Sequence, residues 1–120
     1  MISTAVMRLS WPSQPLWPNR SRGRAWQARK AAEDAYKREG DIVALGQIGS
    51  LKEITDPTVT ITFHKTNAGR YDLDNAYAAM KPAQDAICAR WGIDDSNLAR
   101  VNLRRGDPVK GGCVMFEVTG

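Results

Sequence analysis

Residues 58–64 read Thr-Val-Thr-Ile-Thr-Phe-His, and this strict alternation constrains the fold more than any other stretch. In an extended chain Val59, Ile61 and Phe63 point one way, and the threonines and His64 point the other. A strand with one apolar face must bury that face against a second layer, so a sheet covered on one side is required. Three further segments alternate in the same manner. Residues 4–11 place Ala5, Met7, Leu9 and Trp11 on one face and are ended by Pro12. Residues 98–104 and 113–119 are joined by the turn-rich Gly-Asp-Pro-Val-Lys-Gly-Gly and are expected to pair as an antiparallel hairpin.

Two segments between the strands carry helical patterns. From Arg24 to Glu39 the alanine-rich sequence aligns Ala25, Ala28, Ala32, Ala35 and Tyr36 in a stripe, and Gly40 reads as its C-terminal stop. A second helix is expected from Asp74-Asn75 to Trp91, closed by Gly92. Pro82 is expected to kink that helix or to begin it. Residues 12–24 form a loop rich in Pro, Ser and Arg, and residues 41–57 carry too many glycines for a helix. The expectation is one domain spanning 1–120, of the α+β (mixed α/β) class, in the order β-α-β-α-β-β. Its mixed four-stranded sheet would have two helices packed on it, which suits a chain of 120 residues.

No apolar run approaches the roughly 18–20 residues that a bilayer requires, so no membrane partner is expected. Arg8 interrupts the apolar N-terminal stretch, and no secretory signal is read there. Cys88 and Cys113 lie in no Cys-x-x-Cys, so they read as reduced, buried thiols of a cytoplasmic protein.

The chain carries 17 Lys and Arg and a net charge of +4, a surplus that favours polyanionic partners. Against that background, residues 70–97 gather Asp72, Asp74, Asp85, Asp94 and Asp95 around Lys81. If residues 72–74 are extended, Asp72 and Asp74 present their carboxylates side by side. Hard oxygen donors with few imidazoles or thiolates nearby suit Mg²⁺ or Mn²⁺. Should the strand at 98–104 lie beside 58–64, the Asp94-Asp95 pair would supply a third carboxylate. A metal so held activates water and neutralises charge on a phosphodiester. Lys81 lies seven residues after Asp74, on nearly the same helical face, and leans back toward the carboxylates. Asp85, four residues beyond Lys81, can hold it in place. The plainer reading keeps Asp74 or Asn75 as a helix cap, Asp94 as a turn former and Lys81 as a surface lysine. His64 is a strand-end residue, structural or a general base. The tryptophans read as core, with Trp17 in the arginine-rich loop able to stack on a base.

Taken together, Asp72-Leu73-Asp74-Asn75, Lys81 with Asp85, and Gly92-Ile93-Asp94-Asp95-Ser96 resemble the motif of the RusA-like Holliday-junction resolvases, a phage and prophage family. The N-terminal half is similar as well: a first strand ending in Trp-Pro, a Pro-Leu-Trp-Pro-Asn-Arg loop, then a helix with Trp26 near its start. The family's usual lysine position falls at Ala78, three residues before Lys81. The resemblance implies a homodimeric, Mg²⁺-dependent endodeoxyribonuclease that nicks opposing strands of four-way DNA junctions in recombination or repair. Asp72, Asp74 and Asp95 would be the metal ligands and Lys81 the catalytic lysine, supported by Asn75, Asp85 and Asp94. DNA would lie along Asn19, Arg20, Arg22, Arg24, Arg29, Lys65 and Arg70. A basic DNA-binding module without catalysis, or a nuclease acting on flaps, is the alternative.

Overall fold

The computed structural model describes residues 3–18 and 26–120. The strands are β1 (Thr4–Ser10), β2 (Thr58–His64), β3 (Arg100–Arg105) and β4 (Cys113–Thr119), and the helices are α1 (Trp26–Gly46), α2 (Ile48–Glu53) and α3 (Leu73–Trp91). The four strands form one mixed sheet in the order β1-β4-β2-β3. The α+β class and the mixed four-stranded sheet are therefore as the sequence predicts.

The alternation works as expected within each strand. Ala5, Met7 and Leu9 of β1, Val59, Ile61 and Phe63 of β2, and Val114, Phe116 and Val118 of β4 are all buried. Met80, Ala83, Ile87 and Trp91 of α3 join them in one apolar core. Burying a side chain of leucine or phenylalanine size contributes about 1.5–3 kcal/mol, so this continuous cluster is the main stabilising element.

The pairing differs from expectation. Residues 100–105 and 113–119 do not form a hairpin; β4 lies between β1 and β2, antiparallel to both. β3 pairs with β2 in parallel, with Val59 opposite Val101 and Ile61 opposite Leu103. The physical reason lies in burial. β4 carries a fully buried row and takes the centre of the sheet, whereas β3 buries no residue fully and takes an edge. A parallel partner needs a crossover, and α3 provides it.

The helical layer is also longer than predicted. α1 continues through Gly40 to Gly46, and α2 occupies part of a stretch expected to be irregular. Gly40 is buried where α1 crosses α3, so its role is to allow close approach rather than to end a helix. Pro82 is buried inside α3, which begins well before it at Leu73. Gly92 does end α3: it adopts φ 93°, in the left-handed region that favours glycine, and its N–H donates to the Cys88 carbonyl at 2.9 Å. Trp26, expected in the core, is 64 % exposed, while Trp91 is buried. Both cysteines are free and buried, as predicted. No helix among the described residues is long and apolar enough to cross a membrane.

Candidate nucleic-acid interface and carboxylate cluster

The register brings the C-terminal ends of β1, β2 and β3 to one end of the sheet, together with the start of β4. The loop after β2 returns the chain at that same end to begin α3. A cleft of about 1450 Å³ opens there. Trp11, Trp17 and Tyr71 line it with Lys65, Arg70 and Arg105, and Asp72 and Asn75 stand at the start of α3 on its wall.

The aromatic wall is built from mutual contacts. Trp11 stacks on Trp17 with ring centroids 5.7 Å apart, and meets Tyr71 edge-on at 5.4 Å. The Trp17 indole N–H donates to the Pro12 carbonyl at 3.0 Å, which fixes the ring's orientation. Two cations lie against Tyr71: Lys65 Nζ is 5.9 Å and the Arg105 guanidinium 5.5 Å from its ring centroid. Arg105 also donates to the Tyr71 carbonyl at 3.0 Å. Among the described residues none of Lys65, Arg70 and Arg105 forms an ion pair with a carboxylate. The cleft is thus cationic and aromatic, with its charge available to an anion.

Asp72 occupies the N-cap position of α3 in extended conformation, but its side chain makes no capping hydrogen bond. The N-cap position thus falls on Asp72 rather than on Asp74 or Asn75, which the plainer reading took as the cap. Asp74 is already in the first helical turn and exposed. Because the helix begins at Leu73, the side-by-side presentation of Asp72 and Asp74 expected from an extended chain does not occur. The residue that shares the cleft wall with Asp72 is Asn75, three positions on, as helical periodicity requires.

Lys81 and Asp85 are brought together as predicted, at 3.5 Å. The stronger partner of Lys81 is Asp95, which accepts a short hydrogen bond from its ammonium. Partial burial disfavours the Lys81 ammonium, but the Asp95 hydrogen bond, with Asp85 and Tyr77, outweighs it, and the net shift of its pKa is upward. Asp94 caps the short 3-10 turn at Asp95–Asn97 by accepting from the Ser96 N–H at 3.0 Å, and that bond holds its carboxyl below the ordinary value. For Asp94 the plain turn-forming reading is the one that applies. His64 Nδ1 lies 2.8 Å from the Asp107 carbonyl, a structural tie from β2 to the loop after β3.

The parallel register explains why Asp95 stands apart. β3 does lie beside β2, but Asp95 precedes its first residue, at the end of the sheet opposite the one from which the chain leaves β2 toward Asp72. Asp74 and Lys81 are also separated by about 10 Å along the helix axis, seven residues at 1.5 Å each. Among the described residues no group of three or more carboxylate, imidazole or thiol side chains is arranged to hold a metal ion. Asp72, Asp74 and Asp95 are hard donors of the kind Mg²⁺ prefers, but as arranged they do not converge on a single point.

Of the predicted DNA contacts, Lys65 and Arg70 line the cleft. Arg29 instead donates to the Pro15 carbonyl at 3.4 Å and lies 3.7 Å from Glu33. Asn19, Arg20, Arg22 and Arg24 lie outside the described residues. The sequence reading missed Arg105, Tyr71 and Trp11 as site residues. Only the parallel pairing of β3 with β2 carries Arg105 to the cleft, and no local pattern encodes that pairing. No family model matches the sequence, and no curated protein matches it.

Proposed function

We propose that this chain is a structure-specific endodeoxyribonuclease of the RusA-like kind, acting on branched DNA and on four-way junctions above all. The observation that supports this most is Asp72. It is a carboxylate not spent on capping its helix, on the wall of a cleft whose three cations have no carboxylate partner among the described residues. Lys65, Arg70 and Arg105 would take the phosphate backbone, positioning it without reading sequence. The start of α3 adds its N–H groups and the positive end of the helix dipole at the same place.

Mg²⁺, with Mn²⁺ as a substitute, belongs to this proposal on donor chemistry. Mg²⁺ is commonly held by one or two carboxylates plus substrate phosphates rather than by a full protein cage. Asp95 would join Asp72 and Asp74 only if it parted from Lys81 and the segment before β3 that carries it moved toward the start of α3. Symmetrical nicking of a junction needs two sites related by a two-fold axis, so the working form would be a homodimer. The bacterial cytoplasm, with a phage or prophage source, is the setting this reading implies.

A second reading, a DNA-binding module without catalysis, is favoured by two specific observations: Asp94 caps a turn, and Asp95 neutralises Lys81. One experiment separates the two. A labelled four-way junction, a flap and a linear duplex are incubated with wild type, Asp72→Asn, Asp74→Asn and Asp95→Asn, with and without Mg²⁺. The nuclease reading expects Mg²⁺-dependent nicking of the junction, lost in each variant while binding persists. Nicking retained in all three variants overturns it. Binding without nicking in Mg²⁺ or Mn²⁺ establishes the second reading, and preferential cleavage of the flap reassigns the substrate.

A further inference from the structure

We infer that the cleft at the sheet end receives an unpaired nucleotide, its base against the Trp17 and Trp11 indoles and its phosphate among Lys65, Arg70 and Arg105. This inference rests on the DNA reading above and narrows it. The protein would select DNA by a locally unstacked base at the branch, rather than by the duplex arms alone.

Three observations carry it. The first is size and composition: about 1450 Å³ of open cleft has two indoles and a phenol on its wall. A convex duplex offers its phosphates and groove edges to such a cleft, but its bases are stacked and cannot reach the rings. Only an unstacked base brings a π-face to an aromatic wall, and every base has one. The second is charge. Among the described residues of the cleft wall, Lys65, Arg70 and Arg105 are set against Asp72 as the single carboxylate, which suits an anion with an apolar, flat portion.

The third observation is preorganisation. The Trp17 ring is held by its bond to the Pro12 carbonyl and by Trp11. Lys65 donates to the Arg70 carbonyl at 3.5 Å, and Arg105 donates to the Tyr71 carbonyl at 3.0 Å, so both cations are tied to the loop that leads to Asp72. An aromatic surface and cations fixed in place before binding take up a nucleotide with little ordering cost. The arrangement also sets the order of contacts along a strand. A nucleotide seated on the indoles puts its neighbouring phosphodiester toward the start of α3, where Asp72 and Asn75 stand.

The test measures binding in the absence of divalent metal, so that cleavage plays no part. Two fluorescein-labelled probes are compared: a perfect duplex, and the same duplex interrupted by a short single-stranded bulge carrying 2-aminopurine. Wild type is expected to bind the bulged probe more tightly than the duplex and to quench the 2-aminopurine. Trp17→Ala is expected to weaken bulge binding about 5- to 100-fold, the loss that follows removal of a base–aromatic stack, with duplex binding unchanged. Trp17→Phe keeps a ring and should restore most of the preference. Arg70→Ala should weaken both probes together and lower the salt dependence. Circular dichroism melting establishes that each variant is folded.

Equal binding of the two probes by wild type, or a bulge preference that survives Trp17→Ala, overturns the inference while leaving a duplex-binding nuclease possible. No binding of either probe by wild type overturns the DNA reading, and this inference with it.

Discussion

A Cβ built on Gly40 of α1 would stand 2.5 Å from the carbonyl oxygen of Ala83 on α3 and 3.0 Å from its Cα. The neighbour is backbone, which cannot rotate away, so this close approach of the two helices depends on glycine at position 40. Alanine is a better helix former than glycine by about 1 kcal/mol, yet overpacking of this kind costs about 1–3 kcal/mol. Gly40→Ala is therefore expected to lower the urea midpoint despite its propensity gain. Gly49→Ala is the control. A Cβ on Gly49 of α2 meets nothing within 4 Å, so that change should be neutral or slightly stabilising.

Asp72 allows the roles of cap and functional carboxylate to be separated by stability alone. Loss of a capping side chain costs about 0.5–2 kcal/mol. Because Asp72 makes no capping bond, Asp72→Ala should change the thermal midpoint little. Asp94→Ala, which removes the bond to the Ser96 N–H, should lower it more. Differential scanning fluorimetry on both variants checks this ordering, and a larger loss at Asp72 than at Asp94 would count against it.

The ion pair between Asp41 and Arg90 joins α1 to α3 through two bonds, at 2.8 and 3.0 Å. The Arg90 hydrogen bond holds the Asp41 carboxyl below its ordinary value of 3.8. A carboxylate depressed in the folded state contributes stability that is present above its unfolded pKa and is lost as pH falls through the folded one. Asp41→Asn should therefore reduce stability at neutral pH, and the gap to wild type should close in acid below that range. Both groups are well exposed, so the effect should be small and weakened by salt.

Burial pushes the Cys88 thiol up to about 11, and neighbouring Asp95 and Asp85 act in the same direction. The thiolate is the reactive form, so Cys88 should be silent toward a disulfide reagent in the folded protein near neutral pH. Cys113 is buried as well, and both thiols should react promptly in concentrated guanidinium. Fast labelling of Cys88 in native buffer would contradict the packing described.

Local pattern and tertiary partnership were legible to different degrees. The alternation of 58–64 and 113–119 fixed two strands to the residue, because inward and outward positions are written into hydropathy. Which strands pair is not written there, and two alternating segments joined by a turn-rich link looked like a hairpin. The better signal was β3, whose Arg100, Arg104 and Arg105 suit an exposed edge strand. Gly40 showed the same ambiguity, since glycine serves both a helix end and a helix crossing. For the carboxylates, the spacing correctly joined Lys81 to Asp85. It did not foresee that α3 starts at Leu73, which turns Asp74 away from Asp72, or that a parallel crossover brings Asp95 to Lys81.

The position of β4 has a consequence for how the molecule comes into being. It follows the other three described strands in sequence, yet it lies between β1 and β2 and is, among the described residues, the strand with which β1 pairs. The backbone edge of β1 finds this partner only when residues 113–119, more than a hundred positions later, are in place. Joining β1 to β4 is thus a long-range closure, slow compared with helix pairing. Until β4 inserts, α1 and α3 can meet but β1 cannot join β2, so the cleft at this end of the sheet would be complete only once that long-range pairing has formed.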